Sequence, residues 1–101
     1  MSAGQAFLHA EPVVTVCDRT ILWHLRIYDA PAGFERRLPY SAICTVCVLG
    51  ADAKISGLHG RFDRATWRAL EAWLRGQGCT SGIIERRGRV RVISLRKANA
   101  R

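Results

Sequence analysis

A period of two governs much of the first sixty residues. Ile21, Trp23, Leu25 and Ile27 fall at every second position, with Leu22, His24, Arg26 and Tyr28 between them. That alternation predicts a strand with one buried and one mixed face. The β-branched run Val13-Val14-Thr15-Val16-Cys17 predicts another strand just before it, stopped at Asp18-Arg19, so that the two form a hairpin. Asp29-Ala30-Pro31-Ala32-Gly33 breaks the pattern as a turn or loop, and Glu35 to Pro39 follow as an exposed connection or short edge strand. Ala42 to Leu49 is apolar on both sides, which suits the middle of a sheet. Gly50-Ala51-Asp52 turns the chain into a weaker strand, Ala53 to Leu58, that ends at His59-Gly60.

The period then becomes helical. Asp63 is a predicted N-cap, no Gly or Pro interrupts the residues through Arg75, and Gly76 and Gly78 stand where a helix would end. At about 100° per residue, Ala69, Trp73, Thr66, Leu70, Leu74 and Trp67 share one side, with Arg64, Arg68, Glu71 and Arg75 on the other. Such an amphipathic helix would pack through Leu70, Trp73 and Leu74.

The last segment reads as a hairpin with two registers to choose between. A two-residue turn at Arg87-Gly88 would set Ile84 opposite Arg91 and Glu85 opposite Val90, mixing apolar with charged on both faces. A three-residue loop, Arg86-Arg87-Gly88, pairs Ile84 with Val90 and Glu85 with Arg89. The second is the expected register. It turns Ile84, Val90 and Val92 inward and Glu85, Arg89 and Arg91 outward, beneath a tip of Arg86 and Arg87.

These elements add up to an α+β fold: a mostly antiparallel sheet of five or six strands with one amphipathic helix packed on one face. Residues 1–101 make a single domain, with 1–11 a loose leader and 96–101 a basic, frayed tail. One helix cannot cover both faces of a sheet whose central strand is apolar on both. A second copy is the expected cover, and a homodimer the expected state.

Charge adds what periodicity cannot. Residues 1–59 carry five basic and five acidic side chains, whereas residues 60–101 carry eleven basic against three acidic, so the whole surplus of +8 lies in the last two-fifths. A one-sided cationic surface concentrates polyanions. Of the sixteen basic residues only Lys54 and Lys97 are lysines. That bias points to a GC-rich bacterial or phage genome, and it also supplies the planar, multidonor group that binds phosphate best. Neither a signal peptide nor a run of apolar residues long enough to span a membrane is present in the sequence, so a cytoplasmic location is expected.

The candidate nucleic-acid-binding residues are Arg64, Arg68 and Arg75 on the helix and Arg86, Arg87, Arg89 and Arg91 on the hairpin. If helix and hairpin are neighbours, the seven form one face, and an arginine-tipped ribbon can enter a major groove. A helix's charged run is ordinarily just its solvated side, and no helix-turn-helix, zinc-finger, KH or RNP signature is present. Among the aromatic residues, Trp23 and Trp73 belong to apolar faces, while Trp67 stands at the boundary with the arginines and reads as a partly buried anchor of the helix edge.

Catalytic and metal chemistry have little support. Cys44 and Cys47 have CxxC spacing, but residues three apart on a strand face opposite sides and cannot grip one ion; Cys17 and Cys79 are isolated. All four thiols read as small buried apolar groups. His24 beside Arg26 and His59 near Asp63 have no evident nucleophile, and no P-loop, GxGxxG, HExxH or GxSxG occurs. Strands, helix and further strands in this order are similar to the central part of the acetyl-CoA-dependent N-acetyltransferase fold. Of its R/Q-x-x-G-x-G/A pyrophosphate run, the stretch Arg61-Phe62-Asp63-Arg64-Ala65-Thr66 keeps only Arg61. The leading expectation is a small, non-enzymatic nucleic-acid-binding module of a bacterium or phage, with no cofactor. An adaptor or inhibitor docking on an acidic protein surface is the second, and a degenerate acetyltransferase-like protein the third.

Overall fold

The computed structural model describes residues 5–17 and 20–95. Six strands lie side by side in the order in which the chain makes them: β1 (Phe7–Cys17), β2 (Thr20–Tyr28), β3 (Ala42–Leu49), β4 (Asp52–Gly60), β5 (Ser81–Arg86) and β6 (Arg89–Ser94). Neighbours are antiparallel except β4 and β5, which run parallel because the helix α1 (Arg64–Gly76) carries the chain back between them. The architecture is the α+β one expected, with six strands and the helix on one face of the sheet.

Alternation decides which side chains meet the helix. Leu25 of β2, Cys44 and Val46 of β3, Ala53 and Ile55 of β4 and Ile84 of β5 are buried in one cluster with Leu70 and Leu74 of α1. Full burial of a Leu or Ile side chain contributes about 1.5–3 kcal/mol, so this layer is the main source of stability. Trp73 meets Trp23 edge to face, with ring centroids 5.2 Å apart, at the margin of the same cluster. Among the described residues, no buried side-chain nitrogen or oxygen lacks a hydrogen-bond partner.

Both helix ends are closed by local chemistry. The Asp63 carboxylate accepts the Thr66 amide N–H at 2.9 Å and the Thr66 hydroxyl at 3.0 Å. At the other end Gly78 is left-handed, its N–H donates to Arg75, and that of Cys79 donates to Leu74. This is the six-to-one and five-to-two pairing of a Schellman stop, with buried Cys79 as its apolar contact.

Two expectations change. β1 starts at Phe7, so Phe7 to Glu11, which read as part of a leader, are strand; Leu8 and Ala10 stand opposite Ile27 and Leu25 and pack against the core. The interruption at Pro12 obscured this, yet an edge strand tolerates proline, and the ladder shifts register just after it. Residues 1–4, Asp18-Arg19 and 96–101, the last expected to be a frayed tail, lie outside the described residues.

The larger correction is the last hairpin. Its turn has two residues, Arg87 and Gly88, and both have positive φ (54° and 76°). This is the type I′ geometry whose twist matches that of the flanking strands. Ile84 therefore faces Arg91 and Arg86 faces Arg89, while Glu85 faces Val90 and Ile83 faces Val92. A one-residue slip turns every β6 side chain to the opposite face from the one expected. Val90 and Val92 are left 65% and 73% exposed.

The face of the sheet away from α1 is covered at one end only. The loop after β2 returns across it, with Phe34 stacked on His9 at 3.7 Å and Gly33 tight against the Tyr28 ring. Over β3 to β6 no described residue covers that face, and Leu49, Ile83, Val90 and Val92 are exposed.

Candidate nucleic-acid interface

The turn geometry builds the site. Ile84 points toward α1 and is buried, so Arg86, two residues on, and its cross-strand partner Arg89 lie on that same face, as does Arg91 opposite Ile84. Together with Arg87 at the turn they line a cleft of about 660 Å³ whose apolar wall is Ile84 and half-buried Trp67. That size falls within the ~300–1,000 Å³ of ordinary ligand sites. Among the described residues, none of Arg86, Arg87, Arg89 and Arg91 makes an ion pair with a carboxylate; the nearby Glu85 is turned to Lys54, 4.0 Å away on the other face.

Trp67 is held in place by the chain entering the helix. Phe62 precedes the cap Asp63 and packs on Trp67, four residues after the cap, with ring centroids 5.3 Å apart. This contact is a hydrophobic staple, which fixes the angle of entry. The guanidinium of Arg86 lies over the Phe62 ring, 5.4 Å from its centroid, so arginine, phenylalanine and tryptophan form one continuous wall. Phe62 was not singled out in the sequence. The staple spacing, an aromatic on each side of a cap at the right interval, was the signal that would have found it.

The seven predicted arginines fall in three places. Arg86, Arg87, Arg89 and Arg91 share the cleft. Arg64 and Arg68 line a separate groove with Gln5, Ala6, Phe7, Ala65 and Ala69, beside the start of β1. Arg75 is engaged structurally: its Nε–H donates to the Leu95 carbonyl at 2.9 Å and a terminal nitrogen lies 3.7 Å from Glu71. Helix and hairpin therefore do not present one sevenfold face.

Beside the cleft, β4 parts from β5. Gly57, with φ of 62°, bulges β4 against β3, and the parallel ladder ends at the pair Ile55 and Ile84 although both strands continue. The gap is a notch of about 390 Å³ lined by Gly57, Leu58, His59, Gly60, Glu85, Arg86 and Arg87. Arg86 and Arg87 belong to both hollows, so cleft and notch adjoin across them.

Other candidate groups sit apart. Arg61 is held by Asp29 and by Asp63, the latter at 3.1 Å. Hydrogen bonds from the Thr66 amide and hydroxyl, with the nearby Arg61, keep the Asp63 carboxyl below the ordinary carboxylate range. The helix N-terminus, where a pyrophosphate would bind in the acetyltransferase arrangement, is thus occupied by a carboxylate of the chain itself. Cys44 points into the core and Cys47 to the opposite face of β3, where it is half-buried rather than buried. His24 faces Glu11 across β1 and β2, away from the cleft. Among the described residues, no three His, Cys, Asp or Glu gather as metal ligands would, and no helix is long and apolar enough to cross a membrane. No family model, no curated protein and no solved structure matches this chain.

Proposed function

We propose that the chain is a non-enzymatic binding module that engages nucleic acid through Arg86, Arg87, Arg89 and Arg91, acting in the cytoplasm as an accessory protein of a bacterium or bacteriophage. One observation carries the reading: four guanidinium groups without carboxylate partners among the described residues converge on one cleft with an aromatic wall. Unpaired arginines held close together repel one another, and an anionic ligand with several regularly spaced charges relieves that repulsion. A phosphodiester chain has this property. Arg64 and Arg68 would extend contact to a strand long enough to pass around the helix, and Arg75 contributes to the fold instead.

A filter-binding titration across salt tests the proposal. Binding at low salt whose affinity falls by roughly 0.7–0.9 log unit per log unit of salt for each phosphate neutralised is the expected result. Absence of binding at low salt, or affinity independent of salt, removes it. An acidic protein surface is the competing partner, and nuclease treatment before pull-down separates the two, since only a contact bridged by nucleic acid is lost. The acetyltransferase-like reading predicts a thermal shift with acetyl-CoA. None is expected, because Asp63 caps the helix and Arg61 is already paired.

A further inference from the structure

From the shape of the arginine cleft we infer that the preferred ligand is single-stranded nucleic acid, with one unpaired base held against Trp67 and the flanking phosphates on Arg87, Arg89 and Arg91; the inference rests on the nucleic-acid reading above and narrows it. Three features select a single strand over a duplex. The guanidinium groups of Arg86, Arg89 and Arg91 lie on the helix side of the sheet, around a hollow, and not along the outer edge of a free ribbon. A ribbon that reads a major groove has to project into it, whereas here β5 is tied to β4 as far as Ile84 and only the short tip beyond is free. A concave site of about 660 Å³ has room for one nucleotide but not for a double helix.

The second feature is the wall. Trp67, braced by Phe62, offers an aromatic surface among cationic groups, the combination that holds a base by stacking while arginines neutralise its backbone. Bases in a duplex already stack on one another and present only their edges. An unpaired base presents its face.

The third feature is the adjoining notch between β4 and β5. Because Arg86 and Arg87 border both hollows, a strand leaving the Trp67 cleft passes those two guanidinium groups and reaches the notch beside His59. The backbone of β4 beyond Ile55 and of β5 beyond Ile84 is not paired across the gap, which leaves polar groups free to meet a second nucleotide. The site therefore spans two nucleotides at its core.

The test compares a labelled oligothymidylate of about twelve nucleotides with the matching oligo(dA)·oligo(dT) duplex by fluorescence anisotropy, alongside quenching of tryptophan emission. The single strand is expected to bind at least about tenfold more tightly and to quench the wild-type protein. Trp67→Leu, which keeps apolar volume, is expected to weaken single-strand binding by roughly tenfold or more, with duplex binding unchanged, and Trp67→Phe to restore most of the affinity. Because Trp67→Leu can disturb the fold, Trp67→Phe serves as the second readout: Trp23 and Trp73 remain, and the quenching should be lost. Equal affinity for the two ligands, or full quenching in Trp67→Phe, overturns the base-stacking inference while leaving nucleic-acid binding standing. No binding of either ligand at low salt removes both.

Discussion

Ile84 of β5 stands directly across from Arg91 of β6, and that pairing decides which way every side chain of β6 points. A buried aliphatic group and a guanidinium with no carboxylate partner among the described residues thus share one side of the sheet, and the same side carries Arg86 and Arg89. With Val90 opposite Ile84, Arg89 and Arg91 would lie on the far face beside Glu85, and the cleft would not exist.

Removing charge should therefore have local consequences. Arg89→Gln and Arg91→Gln are each expected to weaken binding of a single-stranded oligonucleotide and to lower the salt dependence by about 0.7 log unit per log unit, one phosphate contact each. Arg75→Gln should leave that slope unchanged, because Arg75 is held by Glu71 and the Leu95 carbonyl. Anisotropy titrations at several salt concentrations measure both.

The turn holds a conflict between stability and binding. Arg87 has φ of 54°, a left-handed conformation that a long side chain adopts at a cost and asparagine accepts more readily. Arg87→Asn should raise the urea midpoint, by the equivalent of up to about 1 kcal/mol, while lowering affinity for nucleic acid. A variant that loses stability would show that the tip is held by something other than the turn.

Asp63 provides a pH signature. Its carboxyl titrates lower in the folded chain than in the unfolded one, chiefly because of the hydrogen bonds from Thr66. The stabilisation it contributes is complete above the unfolded value, near 4, and is lost as pH falls through the folded value. Asp63→Asn keeps an acceptor for the helix amide but removes the charge. Melting temperatures of the two proteins should differ at neutral pH, and the difference should shrink in acid below about pH 4.

Thiol labelling separates the two faces of β3. Burial pushes the Cys44 thiol up to about 12, so almost no thiolate exists at mildly alkaline pH. Iodoacetamide followed by mass spectrometry should modify half-buried Cys47 in the native protein, and Cys44 only as fast as the core opens. Equal labelling would mean that β3 is not covered by α1.

The open half of the far face predicts self-association. Leu49 is 56% exposed and Ile83 42% exposed, next to Val90 and Val92, and the described chain offers no second helix to cover them. Light scattering at micromolar concentration should report twice the mass of one chain, reduced to one by Val92→Lys. A single-chain mass for the unaltered protein ends this expectation.

The sequence by itself determined the elements and their succession. Strands announce themselves by a period of two and the helix by its turn of 3.6 residues, its cap at Asp63 and its stop near Gly78, all of which are local. Ile21 to Ile27 read correctly because the helix buries one side of β2, and burial is what makes alternation informative. On β6 the same logic failed. It is an edge strand with most of its side chains exposed, so Val90 and Val92 lose little by facing outward, and the I′ turn at Arg87-Gly88 set the register instead. Which arginines share a site depended on that register, and only the tertiary structure decided it, because on an exposed edge strand the backbone geometry of the turn, and not the side-chain pattern, sets which residues meet across the ladder.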